Sequence, residues 1–110
     1  MSVDLPKLVR DGIPQIIEET GSTCVVSYVD DGKEHVQWLK SKILEEVNEF
    51  IEEPTYEEAA DIVEVVKALC YLNGLEWEAV LGKAEEKQEI SGGFYTGVIL
   101  ETVDYRMNDA

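Results

Sequence analysis

Apolar positions recur at helical spacing through most of the chain. Between Lys33 and Glu53 they fall at Val36, Leu39, Ile43, Val47 and Phe50, three or four residues apart. That spacing predicts one long helix. Pro54 ends it, since proline cannot continue the hydrogen-bond ladder. Thr55 with Glu58 three residues on has the form of a capping box. It opens a second long helix that runs to Asn73-Gly74, a stop signal. A third covers Leu75 to about Glu89, before Ser91-Gly92-Gly93. Upstream, Pro14 suits a first helical turn, so Ile13 to Thr20 reads as a short helix closed by Gly21.

Two segments break this rhythm. TCVVSYV is β-branched and aromatic, and FYTGVILETV alternates apolar and polar positions. Both read as strands and are expected to pair. Asp30-Asp31-Gly32 marks a turn between the first strand and the long helix. The closing YRMNDA is expected to fray. The predicted fold is all-α, a helical bundle with a small accessory two-stranded β element. No repeat or linker interrupts the 110 residues, so a single domain over 1–110 is expected.

Composition narrows the function classes. The chain is 45% hydrophobic, enough for a core. Acids outnumber bases 24 to 9, for a formal net charge of -15. Such a surface does not suit a nucleic-acid backbone, whose recognition needs Lys and Arg. It favours cations. Cys24 and Cys70 lie outside any CxxC pattern or His pair, so free thiols are expected and a zinc site is not. DDGKEH lacks the spaced ligands of a calcium loop. No apolar run has the length of a membrane helix. The expectation is a soluble, cytoplasmic protein.

The charge is concentrated. Ile43 to Val66 holds nine carboxylates and no lysine or arginine. Helical geometry places them. With Ile43 at zero and about 100° per residue, the apolar stripe of the first long helix lies within roughly 40°. Glu46 then lies about 60° off, Glu49 about 120° off on the same flank, and Glu45 near the back. On the next helix Ile62, Val65 and Leu69 fall within about 40° of Glu58, and Asp61 lies about 60° away with Glu64 beyond it. Glu45, Glu52, Glu53 and Glu57 read as solvated. Glu46, Glu58 and Asp61 do not. For Glu58 the competing role is the return bond of the capping box. Inward carboxylates repel one another and resist burial. With no cation beside them in that stretch, a divalent metal is the economical partner, and Mg²⁺ takes oxygen ligands.

These residues carry a resemblance. Glu45-Glu46-x-x-Glu49 followed by Glu58-x-x-Asp61 resembles the EExxE…ExxD signature of the all-α nucleoside triphosphate pyrophosphohydrolases, the MazG-like superfamily. KLVRDGIPQII, KILEEVNEF, EEAADIVEVVKAL and GGFYTGVILE resemble a small phosphoribosyl-ATP pyrophosphohydrolase-like subgroup. The resemblance spans Lys7 to about Glu101. Two positions depart from it: Gly12 stands where the subgroup has lysine, and Ser91 where it has arginine.

The resemblance implies hydrolysis of a nucleoside triphosphate to monophosphate and pyrophosphate. Glu46, Glu49, Glu58 and Asp61 would hold Mg²⁺, with Mn²⁺ as a substitute. Glu46 or Glu49 would orient or deprotonate water. Glu45 and Glu64 would support the ligands from behind. Lys83 and Lys87, four apart on the last helix, and Lys7 and Arg10 in the LVRD motif are the candidate phosphate contacts. His35 reads as a surface residue. Trp38, Trp77 and Tyr71 are read as core aromatics before base-stacking ones. A homodimer or higher homo-oligomer is expected, with no nucleic-acid or membrane partner. Two alternatives remain: a phosphoribosyl-ATP pyrophosphohydrolase of histidine synthesis, and an acidic helical protein that binds a basic partner without catalysis.

Overall fold

The computed structural model of the chain describes residues 5–106. It contains four helices: α1 over Ile13–Glu19, α2 over Gly32–Glu52, α3 over Tyr56–Leu72 and α4 over Trp77–Ser91. Two compact units can be separated, Met1–Trp77 and Glu78–Ala110. The first holds the helical hairpin of α2 and α3, which pack on each other. The second is mostly α4 and the segment after it. None of the described helices is long and apolar enough to cross a membrane.

Local chemistry explains the helix ends. The Asp31 side chain caps α2 by accepting from the Lys33 amide at 3.0 Å. Glu53 leaves the helical region before Pro54, at φ -141° and ψ 88°, in line with the clash that a following proline makes with helical backbone. Thr55 Oγ1 then accepts from the Glu58 amide at 3.1 Å and starts α3. At the far end Gly74 takes a φ of +72°, which few side chains tolerate. That turn lets the Leu75 amide reach the Cys70 carbonyl at 2.8 Å and the Gly74 amide reach Tyr71 at 3.3 Å. The pair forms a Schellman stop. Pro14 sits in the first turn of α1, and the Arg10 carbonyl accepts from the Ile13 amide at 3.0 Å.

The buried side chains are few. Leu39 on α2 and Val65 and Cys70 on α3 form the apolar centre, and Glu46 joins them at 5% exposure. Cys24 and Cys70 are both free thiols. On the hairpin, Leu44, Ile51, Tyr56, Val63 and Tyr71 stay exposed.

The expected β element is not formed. TCVVSYV and FYTGVILETV contain no strand, and the described residues as a whole contain none. The reason is physical: β propensity expresses packing against a neighbouring strand, and a lone pair of strands is marginal in water. Val25, Phe94, Tyr95, Val98 and Ile99 are exposed accordingly. The fraying expected for YRMNDA falls mainly on 107–110, outside the described residues.

Candidate metal centre

Successive positions on α2 and α3 bring the carboxylates together across the hairpin. Glu46 is buried on α2, facing the α3 side. Glu58 and Asp61, three apart on α3, are half-buried. One oxygen from each of Glu46, Glu58 and Asp61 lies within 4.8 Å of the others. Oxygens around an octahedral Mg²⁺ at 2.0–2.1 Å stand about 3–4 Å apart. The three oxygens would have to draw closer to share one such ion.

The hydrogen bonding is what distinguishes this cluster from a solvated acidic face. Glu46 Oε2 and Glu58 Oε2 are both buried and have no hydrogen-bond partner. A buried anionic oxygen without a donor is costly. The Glu58 amide is satisfied by Thr55, but the Glu58 carboxylate does not complete the capping box. It faces Glu46 and Asp61 instead.

Glu49 lies on the exposed flank of the same group. Its carboxyl is held above the ordinary range, first by desolvation and then by its closeness to Glu58. The Glu46 carboxyl is also pushed up, first by burial and then by the Glu49 charge, against the opposing pull of Lys42. Glu45 and Glu64 are exposed, as are Glu52, Glu53 and Glu57.

Two cations meet the carboxylates. Lys42 Nζ lies 3.4 Å from Glu46 Oε1 and 3.5 Å from a Glu45 oxygen. The expectation that no cation lies close in sequence is therefore corrected. Lys42 stands one residue ahead of the cation-free stretch and one helical turn before Glu46, a spacing that puts both on one face. That i,i+4 relation is the signal for it. The second cation is Arg10, whose Nη2 donates to Asp61 Oδ1 at 2.7 Å. This bond raises the Arg10 pKa, and the charges of Asp61, Glu64 and Glu46 add to it. Arg10 thus meets an acid of the cluster.

The other candidates are placed as follows. Lys7 is exposed. Lys83 and Lys87 belong to the second unit, both exposed, and Lys83 donates to Glu86 at 3.1 Å. His35, Trp38 and Trp77 are half-buried, whereas Tyr71 is exposed.

The donor set suits a hard divalent cation. It is all oxygen, it carries excess negative charge, and two of its buried oxygens lack a partner. When ionised, Glu46, Glu49, Glu58 and Asp61 bring four negative charges, against one positive charge each from Lys42 and Arg10. A balance of two negative charges remains, which one dication neutralises. Comparison with protein-family models, with curated proteins and with solved structures finds no match for this chain.

Proposed function

We propose that this chain is a Mg²⁺-dependent nucleoside triphosphate pyrophosphohydrolase of the MazG-like type. It would convert a nucleoside triphosphate to its monophosphate and pyrophosphate. The observation that carries this reading is the pair of buried, partnerless oxygens, Glu46 Oε2 and Glu58 Oε2, on two residues whose carboxylates gather with that of Asp61. A structural role would leave them hydrogen-bonded or solvated. The sequence resemblance supplies the reaction class.

Glu46, Glu58 and Asp61 would hold Mg²⁺, with Mn²⁺ as a substitute. The ion supplies charge neutralisation at the triphosphate and lowers the pKa of nearby water. Glu49, on the exposed flank, has room to meet solvent. It is the better placed of the two candidate bases, because Glu46 is buried and engaged by Lys42. Glu49 would take the proton of the attacking water. The water oxygen bonds to phosphorus at the α–β bridge, the bridging P–O bond breaks, and pyrophosphate leaves. Lys42 favours the ionised form of Glu46, against burial and the Glu49 charge. Glu45 shares Lys42 with Glu46 and so supports that ligand indirectly. Of the candidate phosphate contacts, Lys7 and Arg10 belong to the same unit as the carboxylate cluster.

A homo-oligomer belongs to the same proposal. Leu44 and Ile51, seven apart and so on one side of α2, are exposed apolar side chains on the hairpin. With so few residues buried, a second copy is the natural cover. A light-scattering mass of one chain at micromolar concentration would count against this.

The test of function is pyrophosphate release from canonical and modified nucleoside triphosphates and phosphoribosyl-ATP. It is run with Mg²⁺ and with EDTA, for wild type and Glu58→Ala. Metal-dependent release that the variant loses is the expected result. No release from any substrate, with both proteins folded, would remove the enzyme reading.

A further inference from the structure

We infer that Arg10 is a placeholder cation at the carboxylate cluster, bound to Asp61 until a divalent ion enters and displaced when it does. The inference rests on the metal reading above and adds a moving part to it. Arg10 comes from outside the helical hairpin, 51 residues from its partner. Its backbone is fixed independently, because its carbonyl accepts from the Ile13 amide at the start of α1, and Leu8 and Val9 beside it are half-buried. The side chain can leave Asp61 without unfolding that segment.

The bond is of a kind that yields. It is a single contact from Nη2 to Oδ1, and the Arg10 side chain is 54% exposed. Exposed pairs of this kind shift an equilibrium by roughly fivefold or less. A dication at the same carboxylate repels the guanidinium about twice as strongly as a monoanion attracts it at equal distance. The same carboxylate therefore cannot hold both cheaply. Glu64, one turn along α3, already contributes to the field at Arg10. Once displaced, the guanidinium has all its donors free. Its planar fork suits an outer phosphate of the nucleotide. Arg10 would thus neutralise the cluster before the metal arrives and become a phosphate contact afterwards.

The chain has only two arginines, Arg10 and Arg106, which makes the movement visible. The first measurement is the side-chain ¹⁵N NMR spectrum during a Mg²⁺ titration. The expected result is that the Arg10 signals shift and those of Arg106 do not. The second is Mn²⁺ binding, counted by EPR, for wild type, Arg10→Met and Arg10→Lys, with folding checked by circular dichroism. Arg10→Met should bind Mn²⁺ tighter, by up to about fivefold, and Arg10→Lys within about twofold of wild type, since the lysine keeps the charge. Arg10 signals that stay still while Mn²⁺ binds would overturn the inference. So would weaker binding by Arg10→Met, which would make Arg10 a residue that holds Asp61 in place. If folded wild type and Arg10→Met both take up no Mn²⁺, the metal reading itself fails and the placeholder role falls with it.

Discussion

Lys42 Nζ lies 3.4 Å from Glu46 Oε1, while the other oxygen of the same carboxylate, Oε2, is buried without a partner. One side of Glu46 is neutralised and the other is left open. The lysine comes from the previous turn of the same helix, so the pairing is built in when α2 forms. The two oxygens divide the work. Oε1 meets the lysine, which favours the charged form, and Oε2 has no donor.

Removing the lysine should therefore damage both stability and metal binding. Lys42→Met leaves a buried carboxylate without its cation, at a cost of about 1–3 kcal/mol. In a chain of this size each kcal/mol lowers Tm by about 4 °C. Metal binding should also need a higher pH, because Glu46 would hold its proton more firmly. Thermal unfolding and Mn²⁺ titration at several pH values check both effects.

Glu46→Gln should act in the opposite direction on stability. It removes a buried charge that Glu49 and Asp61 repel. The metal-free protein should unfold at the same temperature as wild type or higher, yet lose its stabilisation by Mg²⁺. A variant that is destabilised and still stabilised by Mg²⁺ would contradict the role given to Glu46. Differential scanning fluorimetry with and without Mg²⁺ reads both.

The raised carboxyls of Glu46 and Glu49 fix the sign of a pH effect. A carboxyl with a higher pKa in the folded state binds more protons there than when unfolded. Its stabilising contribution is present at low pH and lost as pH rises through the folded value. The metal-free protein should therefore lose this contribution from about pH 4 upward. Mg²⁺ should restore it above that range, by about 2.7 kcal/mol at a hundredfold excess over Kd. Melting curves across pH, with Mg²⁺ and with EDTA, separate the two. Glu46→Gln should flatten the metal-free slope.

Thr55→Ala should test how far the metal cluster depends on the start of α3. Loss of the Thr55 cap costs about 0.5–2 kcal/mol. Glu58 lies in the turn that this cap organises. The variant should melt lower and bind Mn²⁺ more weakly, and Thr55→Ser should restore both. A drop in Tm with unchanged Mn²⁺ affinity would show that Glu58 is held by the hairpin and not by the cap.

Much of the hairpin was legible from order alone, because its signals are local. Pro54, the Thr55 cap and the Asn73-Gly74 stop mark the ends of α2 and α3 within a few residues of chain. The 100° step of the helix placed Glu46 beside the apolar stripe and Glu45 on the solvent side, as their burial shows. Lys42 was equally legible, one turn before Glu46. The Arg10–Asp61 bond was not, since nothing local relates residues 51 apart. It exists because the segment ahead of α1 meets α3. The proposed strands failed for the same physical reason. A helix satisfies its backbone internally, so sequence spacing suffices to predict it, whereas a strand is completed only by a neighbour that the tertiary structure must supply. The sequence alone determined the helices and the faces of their carboxylates; the fold decided which charges meet and leaves two carboxylate oxygens buried without a partner.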